Sequence, residues 1–110
     1  MGDRANVKIS DRYSGDLYLY THWAGTELPE TVQRALKRRE RWDDMPYLAR
    51  IVFCEMVKGN EDGATGFGIS AKPCDGDDRI VEVSEDGVKL NGRRYTFEEY
   101  LALRDLSWSA

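Results

Sequence analysis

Hydrophobic and polar positions alternate at the start of the chain. Ala5-Asn6-Val7-Lys8-Ile9-Ser10 has a period of two, a turn-rich stretch covers residues 11–16, and residues 17–23 alternate again. Two such runs across a glycine-containing turn predict a β-hairpin. In its second strand Leu17, Leu19, Thr21 and Trp23 point one way, and Tyr18, Tyr20 and His22 the other. The period then lengthens. Ala24-Gly25-Thr26-Glu27 opens a helix that tolerates Pro29 in its first turn, and Leu28, Val32, Ala35 and Leu36 form one apolar stripe along it. Trp42-Asp43-Asp44 breaks that pattern, and either aspartate can cap a second helix with Pro46 near its start. From Met45 to about Val57 this second helix is apolar almost all round, which predicts an αα-hairpin with the second helix central and buried.

The remainder reads as strands and one more helix. Residues 58–64 form a polar loop, and residues 65–72 a strand with Phe67, Ile69 and Ala71 on one face and Gly66, Gly68, Ser70 and Lys72 on the other. Another polar loop covers residues 73–78. Ile80-Val81-Glu82-Val83 and Val88-Lys89-Leu90 flank Glu85-Asp86-Gly87 as a hairpin, and Asn91-Gly92 marks a tight turn into Arg94-Tyr95. Thr96-Phe97-Glu98-Glu99 has the capping-box form and opens a short helix to about Arg104. The order is ββααβββα with room for one further short strand. It implies a single α+β domain over residues 1–110, a mostly antiparallel sheet with its helices on one face.

Composition narrows the function classes. With two cysteines (Cys54 and Cys74) and one histidine (His22), zinc fingers, iron–sulfur clusters and disulfide scaffolds are excluded, and no cofactor or metal is expected. Lys and Arg number 16 against 20 Asp and Glu, a net charge of −4. The basic residues between Arg34 and Arg41 therefore read as a solvated helix face, and specific DNA binding is not expected. No apolar run approaches the roughly 20 residues of a membrane span, and Met1-Gly2-Asp3-Arg4 lacks a signal-peptide core, so a cytoplasmic protein is expected.

Candidate chemistry concentrates on the Tyr18, Tyr20 and His22 face. Flat rings with polar tips suit a base or sugar ring. The competing reading packs the same residues beneath the last helix, with Tyr100 and Trp108, as a second small core. Gly66 and Gly68, beside Ser70 and Lys72, would let a ligand or another backbone approach closely, but the spacing is neither that of a phosphate loop nor the dinucleotide fingerprint. Glu55 falls inside the apolar face of the second helix. There it needs a cation, from Arg4, Arg39 or Arg50, or else acts as a site acid with a raised pKa. No activated nucleophile is legible: Cys54 lies in the expected buried helix and Cys74 in an acidic loop.

Four motifs carry a resemblance: Gly2-Asp3-Arg4-Ala5-Asn6-Val7, Tyr20-Thr21-His22-Trp23, Tyr47-Leu48-Ala49-Arg50-Ile51 and Thr65-Gly66-Phe67-Gly68-Ile69-Ser70. Together they resemble a family of small uncharacterised proteins of bacteriophages and prophages. The resemblance covers nearly the whole chain and implies a phage accessory protein, similar to anti-defence factors, acting in the bacterial host cytoplasm. Where that family would have Gly-Gly after the tryptophan, this chain has Ala24-Gly25. The motif residues are of the types a nucleotide site requires. Arg4 would hold a phosphate, Asn6 would read a base or ribose edge, Tyr18 or Tyr20 would stack, and Ser70 and Lys72 would close the site. Three functions follow in order. The first is sequestration of a small anionic, nucleotide-derived ligand without turnover. The second is inhibition of a host protein through the acidic stretches Glu61-Asp62 and 75–78, and the third a hydrolase or lyase using His22 with Glu55. A homo-oligomer with its site between copies is compatible with the first.

Overall fold

The computed structural model describes residues 2–73 and 78–108. The first two runs pair as predicted: β1 (Ala5–Asp11) and β2 (Gly15–Thr21) are antiparallel, with Val7 opposite Leu19 and Lys8 opposite Tyr18. Then come α1 (Leu28–Leu36), α2 (Met45–Val57), β3 (Phe67–Ser70), β4 (Ile80–Ser84), β5 (Gly87–Leu90), β6 (Arg93–Tyr95) and α3 (Phe97–Ala102). The further short strand is β6, reached through Asn91 and Gly92, both at positive φ as a tight hairpin turn requires. The six strands form one sheet in the order β3-β2-β1-β4-β5-β6, antiparallel at every pairing but the central β1–β4, which is parallel.

Alternation decides which face is covered. Ala5, Val7, Ile9, Leu19, Val81, Val83, Val88 and Leu90 are buried on one face, against Leu28, Val32, Ala35 and Leu36 of α1 and Leu48, Ile51, Val52 and Met56 of α2. Three expectations are corrected at the margins. β3 spans only residues 67–70, at the edge of the sheet, with Phe67 packed against the core and Ile69 58% exposed. Trp23 lies beyond the end of β2 and does not join the core. Cys54, expected buried with its helix, is exposed on α2, beside Arg50. Asp44 takes the extended N-cap conformation before α2, but its side chain makes no cap bond and faces Arg41 at 3.8 Å instead.

The last helix settles the competing reading of the tyrosine face. α3 starts with the predicted capping box, Thr96 with Glu99, and packs on α1. The buried Tyr100 hydroxyl donates to the Pro29 carbonyl at 2.7 Å, and the Gln33 amide donates to the carbonyls of Tyr100, Leu101 and Leu103 at 3.0–3.3 Å. All three helices thus share one face. Tyr18, Tyr20 and His22 are not a second core beneath α3, because Tyr100 is buried on the opposite side of the sheet.

Candidate functional site

The face away from the helices is laid out by register. One row across the sheet reads Ser70, Tyr18, Lys8, Glu82, Lys89 and Arg94, on β3, β2, β1, β4, β5 and β6. The next row reads Gly68, Tyr20, Asn6 and Ile80. The first row holds three cations, Lys8, Lys89 and Arg94, around Glu82, and Asp16 brings a second carboxylate to Lys8. Burial pulls the Lys8 ammonium down, but Glu82 at 3.8 Å, Tyr18 and Asp16 at 3.7 Å outweigh it and hold Lys8 above the ordinary lysine value. Lys8 therefore stays charged. A hollow of about 220 Å³ opens on this row, walled by Lys8, Tyr18, Glu82 and Lys89 and bounded by Asn91 and Gly92. At Gly68 an added Cβ would meet no described atom within 4 Å, so the space beside Tyr20 is unfilled.

The segments carrying Arg4, His22 and Gly66 meet at the end of this face. The Arg4 Nε–H donates to His22 Nδ1 at 3.2 Å, and the Tyr20 hydroxyl lies 3.1 Å from the same nitrogen. Because Arg4 can only donate, Nδ1 is the acceptor and the ring proton belongs on Nε2. Asp3 takes Arg79 at 2.8 Å and the Thr26 amide at 3.0 Å; the Arg79 hydrogen bond is the strongest influence holding its carboxyl below the usual range. Arg79 also covers the Trp108 ring, whose indole N–H donates to the Gly25 carbonyl at 2.7 Å. Gly25 is required there, since a Cβ would lie 2.6 Å from the Asp3 carbonyl; at position 24 the chain carries alanine, half-buried.

The expected site residues divide accordingly. Tyr18, Tyr20, His22, Arg4, Gly68 and Ser70 lie on the open face or at its end. Asn6 does not serve as expected: its strand is central and its side chain is fully buried, leaving no surface for a ligand. Gly66 is also a structural position. With φ +99° it lies under the Trp23 ring, and a Cβ would be 2.2 Å from a ring carbon. Lys72 is exposed beyond the end of β3, with its amide on the Ser70 hydroxyl. Sequence reasoning missed Lys8, Glu82, Lys89, Asn91 and Arg94. The predicted β1–β2 hairpin already sets Lys8 opposite Tyr18, whereas Glu82, Lys89 and Arg94 join that row only through the β1–β4 pairing.

Glu55 has cations other than those expected. It accepts from Arg38 at 2.7 Å, Arg34 at 3.4 Å and Lys58 at 3.5 Å, while Arg4 bonds His22, Arg39 bonds Glu98 and Arg50 lies beside Cys54. Burial pushes the Glu55 carboxyl up, yet the Arg38 hydrogen bond and the Lys58 and Arg38 charges outweigh it, leaving the group below its ordinary value. A raised-pKa site acid is therefore overturned. The His22–Glu55 pairing has no geometry either, since Glu55 is held between the helices while the His22 Nδ1 lone pair faces Arg4 and Tyr20. Among the described residues no cluster of His, Cys, Asp and Glu could hold a metal, and no helix is long and apolar enough to cross a membrane. Cys74 and residues 75–77 of the second acidic stretch lie outside the described residues. No family model, curated protein or solved structure matches the chain.

Proposed function

We propose that this chain binds a small anionic ligand of the nucleotide class on its open sheet face and holds it without turning it over. The observation that carries the reading is the segregation of the layers. Among the described residues every helix is on one side, and the other side presents two tyrosine rings, an unfilled space at Gly68 and a 220 Å³ hollow walled by Lys8 and Lys89 with Glu82 between them. A base stacks on Tyr18 or Tyr20, Lys8, Lys89 and Arg4 supply charge-assisted donors to phosphate, and Glu82 accepts from a ribose hydroxyl. Binding is favoured over catalysis because the one histidine is engaged by Arg4 and Tyr20 and Glu55 is neutralised on the far layer. With the resemblance to phage proteins, this gives an anti-defence accessory protein that sequesters a nucleotide-derived signal in the host cytoplasm.

The test is a thermal-shift panel of cyclic and ADP-ribose-type nucleotides. At a hundredfold excess over Kd a ligand that binds only the folded chain contributes about 2.7 kcal/mol, a rise of roughly 10 °C for a domain of this size. The hit is recovered intact after heating, and Tyr18→Ala abolishes its shift. A recovered product would point to catalysis, and a silent panel would overturn the reading. One observation favours host-protein inhibition as a second reading: the hollow of about 440 Å³ lined by Asp11, Asp43, Asp44 and Glu85, with Arg12 on Glu85 and the 90% exposed Tyr13 in its wall, stays net acidic and has the charge to meet a basic surface. A silent nucleotide panel with a host protein recovered by pull-down, lost on Asp43→Lys, would favour that reading.

A further inference from the structure

The two edges of the sheet are built differently. β6 closes one side with Arg93 and Arg94, both exposed, which guards the edge against further pairing. β3 closes the other with Phe67-Gly68-Ile69-Ser70, which carries no charge and no proline and leaves Ile69 58% exposed. Trp23, 56% exposed, lies against Gly66 just before the same strand. The bond from the His22 amide to the Gly66 carbonyl fixes which groups face out. Bonded pairs alternate in an antiparallel ladder, so Gly66, Gly68 and Ser70 direct their amides and carbonyls at β2, and Phe67 and Ile69 direct theirs at the outer edge.

We propose that β3 pairs antiparallel with β3 of a second copy of this chain, fusing two six-stranded sheets into one. Outward N–H and C=O groups in a row match another strand, and the self-pair meets three further conditions. With Gly68 on the two-fold axis, Phe67 of each copy lies across from Ile69 of the other, and both outward residues complete their main-chain bonds. Ile69 of each copy gains an apolar neighbour. Antiparallel pairing also keeps the two Lys72 residues at opposite ends of the seam. Each comes to the end where the other copy's 58–65 loop, with Glu61 and Asp62 exposed, enters β3.

The pairing has a consequence that rests on the ligand reading. On the open face the two Gly68 positions lie side by side, which leaves a glycine-floored trough between the two Tyr20 rings. Its span is three strand spacings, roughly 14 Å between backbones. Each wall is backed by the Arg4–His22 corner. A ligand there meets the same groups from both copies, so the favoured class carries two anionic groups.

Sedimentation velocity on the wild-type chain, Ile69→Val, Ile69→Lys and Ile69→Pro tests the pairing. The expected result is a species of twice the 12.6 kDa chain mass for wild type and Ile69→Val, and of the single chain mass for the other two. Proline removes an amide that faces the outer edge and none from the β2 ladder; should it unfold the strand, the lysine variant decides. A wild-type monomer at every concentration, or a dimer that survives both substitutions, overturns the proposal. Nucleotide affinity measured on the same variants separates the two steps. Monomeric variants that bind as tightly as wild type overturn the shared trough and leave the pairing standing. A wild type that dimerises and binds no nucleotide refutes the ligand reading alone.

Discussion

Gly66 and Gly68 are two residues apart and serve unlike ends. Gly66 sits at positive φ beneath an indole ring, so Gly66→Ala must both strain the backbone and displace Trp23. A loss of about 2–3 kcal/mol in urea denaturation is expected. Gly68 has open space above it, so Gly68→Ala should change stability by less than about 0.5 kcal/mol while filling the room beside Tyr20 and weakening nucleotide binding. Equal costs for the two substitutions would contradict these assignments. The pair also marks what the residue pattern could reveal: it singled out both glycines, but the indole that fills one and spares the other arrives from the end of a different strand. Glu55 gives the pH dependence. Its folded pKa lies below its unfolded one, so its contribution is present at neutral pH and disappears as pH falls through the carboxylate range to the folded value. Glu55→Gln should cost about 1 kcal/mol at pH 7, modest because all three cations reach solvent, and less at pH 3. A cost that is constant with pH in denaturation curves would refute the ion-pair account.

At the scale of elements, local patterns carried the hairpins, the αα-hairpin and the capping box, because each is written in spacing along one stretch of chain. Pairings between distant stretches were not legible. Nothing in β1 or β4 announces that they lie side by side in parallel, yet that contact brings Lys8 next to Glu82 and creates the hollow beside Tyr18. The seat of α3 was hidden for the same reason. It depends on Gln33, a polar residue of α1 that is buried because its amide satisfies the carbonyls ending α3. Gln33→Ala should therefore destabilise by about 1–2 kcal/mol, although alanine is the better helix former. Hydrogen exchange at residues 100–103 should accelerate more than in α2; unchanged exchange there would show that α3 is held by packing alone.

For the whole molecule, the arrangement of layers is what joins fold to function. One side of the sheet is spent on the hydrophobic core, and the other keeps two tyrosines, a row of lysine and arginine side chains around Glu82 and an empty place at a glycine. The sequence pointed to Tyr18, Tyr20, His22 and Arg4 through their residue types, and the register brings them together. It also suggested Asn6, whose polar side chain instead lies fully buried in a central strand. The most direct measurement is an amide chemical-shift titration of the isotope-labelled chain with the cyclic and ADP-ribose-type nucleotides. Perturbations are expected at Lys8, Tyr18, Tyr20, Gly68 and Lys89, with α1 and α2 silent. Shifts confined to the helices or to the acidic hollow at Asp43 and Asp44, or none with any member of the panel, would contradict the account.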